Sequence, residues 1–305
     1  MAYDDFSLSC VATLVAGPEG ALTDALVAAC RTAFAERGGR EVGPVQIYAP
    51  GLAADIVWEG LSSEALYEAA HAVLGAAPVD VIVQYESTRR KTFLLADMES
   101  TIIQEEILDE MADRLGFRAK VADITHRGMN GEIDFATSLR ERVALFAGQP
   151  VSLLEDMATR MTISPGAAEL VTAMKAAGGT CWLATGGFTY FADIIAQKLG
   201  FDRVLANVWE IRDGRLGRPL EPILGKDGKK KALDEGCATL GIPLSATLTM
   251  GDGANDVPML EAANQGGGLG VAYRAKPSVR ALVAPQLNHA DFCALVWAQG
   301  LSVRG

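Results

Sequence analysis

Short apolar runs separated by polar and glycine-rich breaks mark out residues 1–86. "SLSCVATLVAG" has the length and apolar content of a strand. "LTDALVAACRTAFAERGG" sets Leu22, Leu26, Ala29, Cys30, Ala33 and Phe34 at helical spacing, and Gly38–Gly39 stops it. "VQIYA" and "ADIVWEG" read as two short strands about a Pro50–Gly51 turn. "SSEALYEAAHAVLGAAP" begins on a serine cap and ends in glycine and proline, as a helix does. "VDVIVQY" closes the unit as a strand. The order βαββαβ predicts a ferredoxin-like domain over 1–86. The polar stretch "ESTRRK", residues 86–91, reads as a linker.

Beyond it the pattern changes. Three apolar strands end in polar or glycine residues: "TFLLA" before Asp97, "TCWLA" before Thr185, and "ATLTM" before Gly251–Asp252. Helical stretches separate them, which predicts an α/β domain over 87–305 with a Rossmann-like parallel sheet. Ligands bind beyond the carboxyl ends of such strands, so the three ends are expected to converge. The segment between the first two strands is too long for a simple crossover. It contains "DFATSLRERVALFAG", with Phe135, Leu139, Val143 and Phe146 on one stripe. A helical cap inserted at about residues 106–164 is the economical reading.

A length of 305 residues suits two domains. Half the residues are apolar and 21% are charged, enough for a large core and against disorder. A net charge of −11 argues against nucleic acid as a partner, since phosphate backbones need a basic stripe. A small phosphorylated molecule needs only a few local cations and remains open. Cys10, Cys30, Cys181, Cys237 and Cys293 are odd in number with no CxxC pair, so disulfides and zinc are not expected and a reducing cytoplasm is. The acidic start "MAYDDFSLSC" lacks the features of a signal peptide, and no apolar run has membrane-spanning length. His71, His126 and His289 show no ligand spacing.

The strand ends carry the candidate chemistry. Asp97 is a carboxylate at a sharp turn, able to attack phosphorus, and Glu99 beside it could exchange a proton with the leaving oxygen and with water. The same Asp97 would equally cap the helix that follows. In "LATGGFT" a hydroxyl and glycine amides could hold phosphate oxygens, or form a plain strand-to-helix turn. "GDGANDVPM" crowds Asp252, Asn255 and Asp256 into one loop, which suits a hard cation such as Mg²⁺. "GKDGKKKAL" offers Lys226, Lys229, Lys230 and Lys231 as a counter-charge, or as a solvated helix start. Arg142 lies seven residues after Phe135 and four before Phe146, on the apolar stripe. An inward arginine needs an anion such as a substrate carboxylate, unless it snorkels out at the edge.

The order Asp-x-acid-x-Thr, Thr-Gly-Gly, Lys, Gly-Asp-Gly-x-x-Asp resembles the haloacid-dehalogenase superfamily of phosphatases. "DMESTIIQEEILDEMA", "GEIDFATSLRERVALF", "TGGFTYFADIIAQKLG" and "GDGANDVPML" are similar to the blocks of its phosphoserine phosphatase family, over about residues 87–290. The N-terminal unit resembles the ACT-like domain that precedes some members. The resemblance implies Mg²⁺-dependent hydrolysis of O-phospho-L-serine through an aspartyl-phosphate, the last step of serine biosynthesis. It implies Asp97 as nucleophile and Glu99 as acid/base, with Lys229 as the fixed cation. Mg²⁺ would sit on the Asp97 carboxylate, the Glu99 backbone carbonyl and Asp252, with Asp256 supporting it. Thr185 and Gly186 would hold the phosphoryl group, Asn255 would line the substrate and support metal and lysine, and Glu106, Phe135 and Arg142 would recognise the amino acid. The family usually has aspartate where this chain has Glu99. Glutamate keeps the ionisable group and adds one methylene, so an acid/base role is still expected. By analogy with ACT-like domains a homodimer is expected. Two alternatives remain: a phosphatase or phosphotransferase for another small phosphorylated metabolite, and a non-catalytic amino-acid sensor.

Overall fold

The computed structural model describes residues 9–303 except Glu19, Ala21, Gly131 and Lys226. Residues 1–8 of the acidic start and the candidate Lys226 therefore lie outside the described residues.

Strand β1 (Ser9–Ala16) sends alternate side chains to opposite faces. Cys10, Ala12, Leu14 and Ala16 pack with α1 (Asp24–Arg37) and α2 (Ser63–Leu74) in one core. Thr23 and Ser62 cap these helices, accepting from Leu26 N and Ala65 N at 3.2 Å each. Between the helices lie β2 (Arg40–Glu41), β3 (Gln46–Ala49) and β4 (Ala53–Glu59), and β5 (Val79–Tyr85) follows α2. The antiparallel order β3-β4-β1-β5 is that of a ferredoxin-like sheet. The two-residue β2, pairing with the far end of β4, is too short to register as a periodicity.

The second sheet begins with β6 (Phe93–Ala96), every residue of which is buried. Helices α3 (Ile107–Arg114), α4 (Arg118–Met129), α5 (Phe135–Ala144) and α6 (Ser152–Ala158) come next, then α7 (Ala167–Ala176) and β7 (Thr180–Phe188). After α8 (Thr189–Leu199) come the hairpin β8 (Arg203–Arg212) and β9 (Arg215–Leu220), α9 (Gly228–Leu240), β10 (Thr247–Gly251) and α10 (Val257–Gln265). The chain closes with β11 (Leu269–Tyr273), α11 (Pro277–Arg280), β12 (Gln286–Leu287) and α12 (Cys293–Ala298). The sheet order is β12-β11-β10-β6-β7-β8-β9, parallel except for β9. β6 lies between β10 and β7, with Ala96 opposite both Met250 and Leu183, so the three strand ends sit level. Helices cover both faces, as a parallel sheet requires. Leu94, Ala96, Cys181 and Leu183 face Leu170, Val171 and Phe191, while Phe93, Leu95, Trp182 and Ala184 face Ala232, Leu233, Met259 and Leu260.

The helices α3–α6 are the insertion over the strand ends. The two chain segments joining them to the sheet run side by side, with Gln104 N donating to Thr162 O at 3.0 Å and Ile103 bridged to Ile163. The β8–β9 hairpin, absent from the expected pattern, holds the insertion at its far side. Gly148 N donates to Leu216 O, Leu216 N to Gln149 O and Val151 N to Gly214 O, each at 2.8 Å.

Residues 86–91 are not a free linker. Arg89 donates to Asp55 Oδ2 at 2.6 Å and to the carbonyls of Trp297 and Ala298 at 3.0 Å. Lys91 is 2% exposed and donates to Thr88 O and Ser245 O, and burial pushes its ammonium down to about 8. A polar stretch reads the same whether water or buried carbonyls serve its heads, so the pattern alone could not separate the two. The second face of the N-terminal sheet is correspondingly covered: Val15, Ala53 and Ile82 join the core that contains Phe292 and Leu295. Asp80 accepts from the backbone N–H groups of Asn288, His289 and Ala290, and Gln84 donates to Ala298 O at 2.9 Å.

A chain starting at Thr88 would uncover this face and take Asp55 from Arg89, Gln84 from Ala298 O and Asp80 from the backbone amides of Asn288, His289 and Ala290. Each buried polar group left unpaired costs roughly 1–3 kcal/mol. The truncated chain is expected to melt roughly 5–10 °C below the full chain and to self-associate in size-exclusion chromatography. Equal melting temperatures with no association would show that the junction contributes little.

Candidate active site

At the end of β6 the chain leaves the sheet abruptly. Asp97 is still extended, and its N–H donates to Met250 O at 3.0 Å, fixing its backbone to β10. Ser100 then takes a positive φ of 52°, unusual for a residue with a Cβ. Its hydroxyl donates to Glu106 Oε1 at 2.8 Å. Asp97 Oδ1 accepts from Met98 N at 2.7 Å, so the carboxylate does cap its own turn. It also meets an ammonium: Lys229 Nζ lies 2.7 Å from Asp97 Oδ1 and 2.5 Å from Asp256 Oδ1. Lys230 instead pairs with Asp234, and Lys231 is exposed.

The loop after β10 brings in the other acids. Asp256 folds back over Gly251, where a Cβ would come within 2.3 Å of its Cγ, so glycine is required there. Asp256 Oδ2 accepts from Gly253 N at 2.9 Å, and Asn255 lies over Gly253. Carboxylate oxygens of Asp97, Asp252 and Asp256 lie within 4.8 Å of one another, all three side chains buried. One lysine does not balance them. Burial first, then the charges of Asp256 and Asp252, push Asp97 well above the usual carboxylate range, against Lys229. Burial, then Asp256 and Glu106, push Asp252 up to about 7. Burial works against the charge of Lys229, yet Asp256 and Asp97 outweigh it and hold the ammonium above its usual range. Hard oxygens with surplus negative charge are the donor set a small divalent cation needs.

The end of β7 supplies hydroxyl and amide groups. β7 does not stop at Thr185 but continues to Phe188 across a register shift. Thr185 is 1% exposed, and its Oγ1 accepts from Gly187 N at 2.9 Å. Asn207, from β8, donates through Nδ2 to Gly186 O at 2.8 Å and accepts from Leu224 N at 2.6 Å. Sequence reasoning missed this residue. The one available signal was an asparagine inside the apolar run "VLANVW", where strands disfavour it.

The inserted helices cover the opening. The Phe135 ring lies against Gly186, where a Cβ would approach it to 3.1 Å. Arg142 is half-buried, and among the described residues its Nε reaches only Ser138 O, at 3.4 Å. Glu99 spans core and insertion: Oε1 accepts from Ile107 N, in the first turn of α3, at 3.0 Å. Its Oε2 lies over Gly187, 2.7 Å from where a Cβ would stand. Burial and the charge of Glu106 push the Glu99 carboxyl up to about 8, opposed by the Ile107 amide and by Arg142 and Lys229. Of the predicted site residues, Asp97, Glu99, Thr185, Gly186, Asp252, Asn255 and Asp256 thus lie at the strand ends, Lys229 in the first turn of α9, and Glu106, Phe135 and Arg142 on or at the start of the inserted helices.

A family model for haloacid dehalogenase-like hydrolases matches residues 94–261. A phosphoserine phosphatase of Mycobacterium tuberculosis is 38% identical over 215 residues, 70% of this chain and 52% of the relative. The chain thus spans about half the length of that curated relative. A phosphoserine phosphatase of Polaromonas sp. is 48% identical over 199 residues, 63% of this chain and 83% of the relative. The crystal structure of a HAD family hydrolase from Salmonella enterica serovar Typhi superposes with a TM-score of 0.82 at 27% identity, covering 95% of this chain and 98% of that one.

The close approach of Glu99 to Gly187 is testable. Gly187→Ala is expected to destabilise by roughly 1–3 kcal/mol, the usual cost of overpacking, read by chemical denaturation. In a Glu99→Asp background, where the side chain is one methylene shorter, that loss should shrink. Equal losses in both backgrounds would mean that Glu99 does not fill the space.

Proposed function

The chain belongs to the haloacid dehalogenase-like hydrolases, and from that premise we propose that it hydrolyses O-phospho-L-serine to L-serine and phosphate. The observation that carries this reading is the meeting, around Asp97 and Glu99, of two sets of groups. Asp97, Lys229 and Thr185–Gly187 suit a phosphoryl group. Arg142 and Glu106 sit above them as the cation and anion that an amino acid's carboxylate and ammonium require. The names of the relatives support the same substrate.

The mechanism uses each group where the fold puts it. An Asp97 carboxylate oxygen attacks phosphorus in line with the seryl oxygen. Lys229, bonded to Asp97 and Asp256, favours the anionic nucleophile and neutralises charge on the phosphoryl oxygens. Glu99 gives its proton to the departing seryl oxygen, then takes one from the water that cleaves the aspartyl-phosphate. That returns Asp97 and the protonated Glu99 to their starting states and releases phosphate. Thr185 and Gly186 hold the phosphoryl oxygens, Phe135 closes the opening over Gly186, and Asn255 lines the loop below. Mg²⁺ would be held by the Asp97 and Asp252 carboxylates and the Glu99 backbone carbonyl, with Asp256 in support, and would offset the surplus negative charge there.

Residues 1–86 form an ACT-like unit in this reading, and 87–305 the phosphatase with its cap at about 106–164. The product places the reaction at the end of a route to serine. Five free cysteines support a reducing cytoplasm. Among the described residues no helix is long and apolar enough to cross a membrane.

Phosphate release from phosphoserine tests the reading. Asp97→Asn should reduce it to background with folding intact. Arg142→Ala should weaken phosphoserine much more than p-nitrophenyl phosphate, which carries no amino-acid carboxylate, by roughly 2–5 kcal/mol in a desolvated site. Equal losses on both substrates would point to a structural role for Arg142.

Glu99→Gln should slow phosphoserine turnover by about 10²–10⁴-fold. The loss should be smaller with p-nitrophenyl phosphate, whose leaving group hardly needs a proton. Unchanged turnover of phosphoserine would remove Glu99 from the proton transfers.

A further inference from the structure

The mechanism above leaves unused a buried polar residue at the edge of the site. Asn207 is 1% exposed and sits on β8, directly beside the bend in β7. The two strands pair Trp182↔Arg203, Leu183↔Val204 and Ala184↔Leu205, then jump to Phe188↔Asn207. Four residues advance on β7 against two on β8. Across Thr185–Gly187 the parallel ladder is therefore broken, and its backbone groups need other partners.

Two side chains supply them. Asn207 Nδ2 donates to Gly186 O at 2.8 Å. Thr185 Oγ1 accepts from Gly187 N at 2.9 Å. These are the two ends of one peptide unit, Gly186–Gly187, so its orientation is held from both sides. A hydroxyl that accepts this N–H keeps its own proton to donate. Among the described residues no acceptor takes it, which leaves it for a phosphoryl oxygen in the cleft. The other end of the same amide, Asn207 Oδ1, accepts from Leu224 N at 2.6 Å. Leu224 lies in the segment that leads into α9 and so to Lys229. The amide orientation is unambiguous, because Gly186 O can only accept and Leu224 N can only donate.

Resting on the phosphatase reading, we infer that Asn207 is a positioning residue for phosphoryl transfer. It fixes the Gly186–Gly187 peptide, and through it the Thr185 hydroxyl, against the segment that carries Lys229. It touches no substrate. Its effect is on the part every substrate shares, the phosphoryl group, and not on the amino-acid end that Arg142 and Glu106 face.

The test compares full-length parent, Asn207→Asp and Asn207→Ser on phosphoserine and p-nitrophenyl phosphate, with orthovanadate inhibition as a second readout. Asn207→Asp keeps the acceptor for Leu224 N and turns the donor facing Gly186 O into an oxygen. The expected result is a loss of kcat/KM of roughly 10–100-fold, equal on both substrates and matched by weaker vanadate inhibition. Relative to the parent, Asn207→Asp should recover as pH falls, since a protonated carboxyl again donates to Gly186 O. Asn207→Ser should show the same loss without that recovery, and it keeps the question answerable if the aspartate variant does not fold. Folded variants with parental kinetics on both substrates, whatever their melting temperature, would overturn the inference. A loss confined to phosphoserine would also overturn it, by placing the effect at the cap. A parent that cleaves p-nitrophenyl phosphate but not phosphoserine would sink the proposed substrate and leave Asn207 to be judged on the first compound. A parent that cleaves neither would sink both.

Discussion

One buried ammonium holds the catalytic end of this molecule together. Lys229 is shared by Asp97 and Asp256, with both contacts out of reach of bulk water. The three residues come from the end of β6, the first turn of α9 and the loop after β10, so a single charge joins three elements that are distant in sequence. Removing the lysine from such a cluster leaves uncompensated buried carboxylates, typically worth roughly 3–5 kcal/mol. Asp252 adds a third carboxylate that this lysine does not neutralise, and burial first, then the neighbouring carboxylates, hold Asp97 and Asp252 up in pKa. The arrangement is poised for further positive charge.

Around that centre the fold adds a second constraint, between sheet and insertion. Among the ties that hold the inserted helices are the paired segments at Ile103 and Ile163, the contacts of Gly148 and Val151 with the β8–β9 hairpin, and Glu99. The first two lie away from the chemistry. Glu99 lies within it, reaching past Gly187 to the start of α3. An aspartate would be one methylene short of that span. The longer side chain therefore couples the position of the cap to the group assigned to proton transfer, a coupling built from length and not from charge.

The N-terminal sheet is part of the same body. Its one face packs on α1 and α2, and its other face continues the core of the second sheet through Val15, Ala53 and Ile82. Asp55 collects Thr13, Tyr48 and Arg89, and Asp80 collects three successive backbone amides. Such a junction transmits displacement, because its polar groups are paired and its apolar groups interdigitate.

The sequence by itself determined the elements and the chemistry available at their ends. Apolar runs of strand length and helical spacings located β1, α1, β3, β4, α2 and β5, and apolar runs that stop at Asp97, Thr185 and Asp252 marked the strands whose ends meet. Those signals are local, since burial imposes them residue by residue. The tertiary structure decided what depends on partners far along the chain. Four lysines stood in one short stretch; the residues alone left them equal, the family resemblance pointed to Lys229, and packing against Asp97 and Asp256 supplies the physical distinction from Lys230 and Lys231. Residues 86–91 were polar enough for a linker, and only the carbonyls of Trp297 and Ala298 made Arg89 part of a junction. Asn207 had no motif at all. Its function follows from a register shift between two strands, and a register is a relation between segments that no single segment contains.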